Sequence, residues 1–231
     1  MVADLVAGPL FGVTATLTAY ALAQVLYLRS GMVLLNPVVV SVAGIVTLLL
    51  LAEIPYTHYA AGGRVVLFLL GPAVVALAVP LYQRRQEILA QKVPILAGVA
   101  VGAVTSVITA AGLAWLLGAS REVVWSLAPK SVTTPVAIGI AEKIGGVAPL
   151  TASVVVLTGC LGAVCGPEFC RWIGIREPTA LGLAIGTASH GIGTARVLEF
   201  DRIGGAVSGL AIGLNGLLTA FLLPLIYLVF R

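Results

Sequence analysis

Charged and turn-forming residues cut this chain into eight apolar segments, near 5–28, 32–53, 62–83, 93–118, 122–142, 149–172, 178–198 and 205–230. A helix that crosses a bilayer needs about 20 predominantly apolar residues, and each segment is close to that length. Only 10% of the 231 residues are charged, against 60% hydrophobic. A soluble domain carries roughly 25% charged residues, so lipid has to be the solvent for most of this surface. The expected fold is therefore an all-α polytopic membrane protein, a single domain over residues 1–231. Short loops make adjacent helices antiparallel neighbours. Asp4 stands where a signal peptide would be positive, and the first apolar run is too long for its core, so 1–27 is read as a true first span.

The net charge of +4 reflects lysines and arginines at helix ends and carries no nucleic-acid signal. One side collects Arg29, Arg84, Arg85, Lys92, Lys143, Arg196 and Arg202; the other collects Arg64, Arg121, Arg171, Arg176 and Arg231. Positive loops stay inside, so the first side is read as the cytoplasmic face of a plasma (inner) membrane. Cys160, Cys165 and Cys170 lie five apart in one apolar stretch, without the histidines of a metal site, and read as packing residues. No metal or cofactor is expected. No zinc-protease, phosphate-loop or nucleophile-elbow motif is present, so no enzymatic activity is expected. Ser189 and His190 are sequence neighbours, so they point to different helix faces and make a poor catalytic dyad.

Three landmarks recur in the same order. Leu35-Asn36-Pro37 opens segment two and Leu127-Ala128-Pro129 opens segment five; Leu70-Gly71-Pro72 lies in segment three and Cys165-Gly166-Pro167 in segment six. Pro94, Gly98 and Gly102 lead segment four, and Pro178, Gly182 and Gly186 lead segment seven at identical spacing. Units of three spans, here 31–118 and 122–204, must insert in opposite directions, with 205–230 as a final helix. That is the inverted-topology repeat of many secondary transporters.

Three stretches break the rule that membrane helices are continuous and apolar. In Ala128-Pro129-Lys130-Ser131-Val132-Thr133-Thr134-Pro135, two prolines interrupt the helical ladder beside a lysine and three hydroxyls. Half-helix ends with a positive charge suit a small anionic carboxylate; a plain helix start with Lys130 at the membrane surface is the alternative. Gly186-Thr187-Ala188-Ser189-His190-Gly191-Ile192-Gly193-Thr194-Ala195-Arg196 can unwind at its glycines, with Gly191 and Gly193 as hinges. It offers hydroxyls at Thr187, Ser189 and Thr194, a proton carrier in His190 and a carboxylate clamp in Arg196. Arg196 and Glu199 are also three apart on one helix face, which allows a mutual ion pair instead. The third stretch, 71–82, carries hinge candidates Gly71, Pro72 and Pro80 but no charge. Asn36 and Asn215 are isolated amides expected to act as interhelical glue.

These three blocks resemble the signature blocks of the LrgB/CidB family, and the resemblance extends over nearly the whole chain. The family is similar to the C-terminal half of the plant plastidal glycolate/glycerate translocator, includes antiholin-like or murein-hydrolase-export regulators, and has members linked to pyruvate uptake. The resemblance implies a carboxylate carrier or a lysis regulator, typically encoded beside a smaller LrgA-like membrane partner. A pore or holin regulator has no evident need of broken helices with lysine, histidine, arginine and hydroxyls converging at midplane depth, whereas a secondary transporter does. The expected function is proton-coupled, alternating-access transport of a small monocarboxylate by a homodimer. Lys130 and Arg196 would neutralise the carboxylate. Ser131, Thr133, Thr134, Thr187, Ser189 and Thr194 would read its hydroxyl or carbonyl. His190 would couple the proton.

Overall fold

The computed structural model describes residues 8–32, 35–69, 72, 75, 76, 78–83 and 85–230. Gly71, Arg84 and Arg231 lie outside them; so does most of the stretch around Pro72, and Pro80 is described only as part of a helix. Among the described residues the chain is all-helical: α1 (Pro9–Ser30), α2 (Pro37–Leu51), α3 (Tyr56–Phe68), α4 (Ala78–Gln83), α5 (Arg85–Ala90), α6 (Lys92–Leu116), α7 (Arg121–Leu127), α8 (Thr134–Lys143), α9 (Ala148–Trp172), α10 (Pro178–Leu198) and α11 (Arg202–Phe230). Among the described residues four stretches are long and apolar enough to cross a membrane: Pro9–Ser30, Lys92–Leu116, Ala148–Trp172 and Arg202–Val229. Helix α2 is apolar but has 15 residues. Helix α10 is long but carries the Thr/Ser/His run. Side chains face outward as expected for contact with lipid: Leu157, Leu161, Phe169, Leu217, Phe221 and Leu225 are all exposed.

The chain forms two compact units, 1–77 and 78–231. In the first, α1 packs on α2 and α3. Gly12 and Gly62 let the α1 and α3 backbones meet where neither helix has room for a Cβ. Thr16 Oγ1 and Tyr59 OH share a hydrogen bond of 3.0 Å across that contact. Asn36 serves as the N-cap of α2, accepting from the Val38 and Val39 amides at 3.0 and 3.5 Å. Its amide oxygen thus serves its own helix.

The second unit is built around α10. Gly182 and Gly186 lie directly against the backbone of Gly204 and Ser208 on α11, so the two helices touch main chain to main chain. On the other side Gly159, Gly162 and Gly166 of α9 leave room for His190, Ser189 and Ile185. Pro167 and Pro224 sit inside helices that continue past them. A continuous core joins Val107 of α6, Ala128 and Val132, Ala137, Ile140 and Ile144, Val155 of α9 and Leu223 of α11. Trp125 and Tyr227 meet edge to face beside it, their centroids 5.3 Å apart.

Candidate functional site

Segment five folds as two short helices, α7 and α8, joined by residues 128–133. Ser120 caps α7, its Oγ accepting from the Val123 amide at 3.5 Å. Lys130 N–H donates to Leu127 O and Val132 N–H to Pro129 O, so the linker is two tight turns. The linker is anchored rather than loose, since Ala128, Pro129 and Val132 are buried. Lys130, between them, turns out of that core. Ser126 ties the start of α9 to the same region, accepting from Val147 N–H at 2.7 Å while its carbonyl accepts from Thr151 Oγ1 at 3.0 Å.

Helix α10 is bent at His190, whose φ of 42° and ψ of −139° are non-helical. The ring is buried, and Val155 O of α9 accepts from Nε2 at 2.9 Å. That bond assigns the proton to Nε2 in the neutral ring. Thr194 Oγ1 donates to the His190 carbonyl at 2.8 Å and shares a 2.6 Å bond with Ser208 Oγ of α11. Because the kink turns the chain, Ser189 and His190 both rest on α9, opposite Gly162 and Gly159. The expectation that they face different ways assumed a continuous helix.

A cleft of about 530 Å³ opens between α6, the 128–133 linker and α10. Its polar lining is Thr105, Ser106 and Thr109 from α6, Lys130 and Ser131 from the linker, and Thr187 from α10. Lys130 Nζ donates to Ser131 Oγ at 3.0 Å and to Ser106 Oγ at 3.4 Å. The two hydroxyls lie 2.7 Å apart in a hydrogen bond of their own. No acidic side chain pairs with Lys130 among the described residues. Thr187 is 5% exposed, and its hydroxyl is buried there without a hydrogen-bond partner. Lys130, without an acidic partner among the described residues, and Thr187, with its hydroxyl unpartnered, thus line the same cleft. Gly98 and Gly102 of α6 face Leu183 and Thr187 across the cleft.

Of the residues singled out from sequence, the cleft thus brings together Lys130, Ser131 and Thr187. Thr133 and Thr134 begin α8, with Pro135 in its first turn. Ser189 and His190 pack on α9, and Thr194 on α11. Arg196 does not line the cleft; its guanidinium meets Glu199 at 2.6 Å and Glu168 at 3.6 Å. Gly191 is open to the outside, whereas Gly193 packs beneath Ser189 and Ile185. Sequence reading missed Ser106. Its only signal is three hydroxyls, at 105, 106 and 109, at helical spacing within an otherwise apolar segment. Among the described residues no group of His, Cys, Asp and Glu is arranged to hold a metal ion.

Long apolar helices interrupted by buried polar residues define an integral membrane protein of the helical class. Residues 16–229 match the model of the LrgB-like family, and the chain belongs to that family. It is 38% identical to the uncharacterized protein YxaC of Bacillus subtilis, over 94% of both chains. It is 37% identical to the uncharacterized protein YwbG of the same organism, over 90% of this chain and 93% of the other. It is 30% identical to the antiholin-like protein LrgB of Bacillus cereus, over 94% and 95%. No solved structure matches.

Proposed function

We propose that this protein is a secondary transporter of small monocarboxylates, of the glycolate, glycerate and pyruvate kind. The observation that carries the reading is Lys130. It is a cation set in a hydroxyl-lined cleft with no acidic partner among the described residues. An ionised group held in such a place needs a counter-charge, and a mobile carboxylate supplies it. Thr187, with its hydroxyl unpartnered, reads the hydroxyl or keto oxygen next to the carboxylate. His190 couples a proton. Its Nε2 is committed to Val155 O, so Nδ1 is the nitrogen that exchanges.

The unwound 128–133 linker and the kink at His190 support a transporter built on discontinuous helices. The reading includes eight crossings in two inverted repeats, alternating access, a homodimeric scaffold in the inner (plasma) membrane and no catalytic step. The test is uptake of labelled glycolate and pyruvate into proteoliposomes of the purified protein under an imposed pH gradient, with and without an LrgA-like partner. Saturable, carboxylate-selective uptake that Lys130→Ala strongly weakens is the expected result. No uptake in either arrangement ends the carrier reading, and full uptake by Lys130→Ala ends the site assignment.

The name of the Bacillus cereus relatives supports a second reading, an antiholin-like regulator or channel. That protein would give a non-saturable leak of unrelated solutes, or no flux at all without a second subunit.

A further inference from the structure

The two interruptions that shape the cleft also release backbone carbonyls. Ser131 lies in the non-helical linker between α7 and α8. At the other break, the ψ of −139° at His190 turns the following peptide, and with it the Gly191 N–H, the ordinary helical donor to Thr187 O. Within a lipid-embedded protein an unpaired carbonyl is costly.

One side chain takes both. Asn215 of α11 is 1% exposed. Its Nδ2 donates to Ser131 O at 3.0 Å and to Thr187 O at 3.0 Å. Its Oδ1 accepts from Thr219 Oγ1 at 3.3 Å. Both amide hydrogens and the amide oxygen are therefore engaged. The reverse orientation is excluded, because it would set Oδ1 against two carbonyl oxygens. The residues it joins are 84 and 28 positions away in the chain, and both line the cleft with Lys130. The main-chain contact of Gly186 with Ser208 brings α11 in close enough for this short side chain to reach.

We propose that Asn215 is a positioning residue of the anion site. From behind the cleft it fixes the distance between the Lys130–Ser131 side and the Thr187 side. Only an amide supplies two donors at this reach. Aspartate keeps the shape but loses both donors, and leucine keeps the volume but leaves both carbonyls unpaired. What the site holds rests on the carboxylate reading above; the clasp between the two breaks does not.

The experiment uses the full-length protein in proteoliposomes and has two readouts, saturation kinetics of glycolate uptake and hydrogen–deuterium exchange. For Asn215→Leu and Asn215→Asp the KM for glycolate is expected to rise at least tenfold while Vmax stays within threefold. Amides in 129–134 and 187–192 are expected to exchange at least tenfold faster, with those in 9–30 unchanged. Thr219→Val, which keeps the clasp but frees its oxygen, shifts both readouts in the same direction by less. Wild-type KM with wild-type exchange, in whichever Asn215 variant inserts as folded protein, overturns the assignment. If the wild type takes up no carboxylate, the carboxylate reading falls by itself. Exchange then still decides the clasp: faster exchange at both breaks upholds it, and unchanged exchange discards it.

Discussion

His190 Nε2 donates to Val155 O across the α9–α10 contact at 2.9 Å, while the backbone of the same residue stands at a φ of 42°. The ring pins the bend that the backbone resists. A residue other than glycine in such a conformation costs on the order of 1–3 kcal/mol, and the hydrogen bond returns about 1 kcal/mol. His190→Ala loses the bond and keeps the strain, whereas His190→Gly loses both. The glycine variant is thus expected to melt higher in detergent than the alanine variant, by about 1 kcal/mol, once glycine's larger unfolded-chain entropy is set against the strain. An alanine variant as stable as the glycine variant would mean that the bend is not strained.

Lys130 and Ser106 should differ in degree. Hydrogen bonds made by a charged group contribute about 1.5–3 kcal/mol and neutral ones about 1 kcal/mol. At 1.4 kcal/mol per factor of ten, Lys130→Met is expected to raise the KM for glycolate roughly 10- to 100-fold. Ser106→Ala, which removes one acceptor of the Lys130 ammonium, is expected to raise it about fivefold. Saturation uptake measures both, and an unaltered KM in Ser106→Ala takes α6 out of the site.

The breaks themselves were legible because proline and glycine act locally. Pro129 lies in the linker between α7 and α8, and Pro135 in the first turn of α8. The run from Gly186 contains the bend, although it falls on His190 rather than on a glycine. Lys130 and Thr187 were legible as polar groups beside those breaks. Ser106 was not, because nothing in a 25-residue apolar helix says which hydroxyl faces a neighbour's lysine. The partners of Asn215 were equally hidden, lying 84 and 28 residues away. For Arg196 two readings competed in the sequence, and the nearby carboxylates hold it in the structure.

The glycines should rank by what a methyl group meets. At Gly186 it would meet the Ser208 backbone, which can yield only by separating α10 from α11. Gly186→Ala is expected to lose about 1–3 kcal/mol. At Gly102 the obstacle is the methyl of Thr187, 2.8 Å away, which is the end of a side chain and shifts more readily. At Gly191 nothing lies within 4 Å, and the change should stay within about 0.5 kcal/mol. Melting of the three variants in detergent gives the order, and a Gly191→Ala variant less stable than Gly186→Ala contradicts this packing.

Glu177 caps α10 from the loop that precedes it, its Oε2 accepting from the Ala180 amide at 2.6 Å. Partial burial works to raise its pKa, but hydrogen bonds from the Ala180 and Thr179 amides and the Thr179 side chain outweigh that and hold it below the ordinary carboxylate value. A depressed folded-state pKa means stability that is present above the unfolded value, near 4.3, and is lost as the pH falls through the folded value. Wild type should therefore be slightly more stable than Glu177→Gln at pH 7, with the gap closing below about pH 4. The group is exposed, so the gap is small. A gap that widens on acidification reverses the sign and refutes the cap.

Arg196 provides the sharpest contrast with Lys130, because the two cations were read from sequence as partners on one carboxylate. The structure gives Arg196 two acids, Glu199 at 2.6 Å and Glu168 at 3.6 Å, and the Phe200 ring 5.6 Å from the guanidinium carbon. With its charge answered within the protein and its side chain away from the cleft, it has little to offer a substrate. Arg196→Gln is expected to leave the KM for glycolate within about twofold of wild type, where Lys130→Met raises it roughly 10- to 100-fold. Its cost should appear in stability instead. Both acids are partly exposed, so that cost is expected to stay below about 1 kcal/mol and to shrink at 1 M salt, where the screening length falls to about 3 Å. Uptake and melting measured on the same preparation, at low and high salt, separate the two roles. A KM increase as large as that of Lys130→Met, with melting unchanged, would move Arg196 back into the site and require α10 to present another face to the cleft during transport.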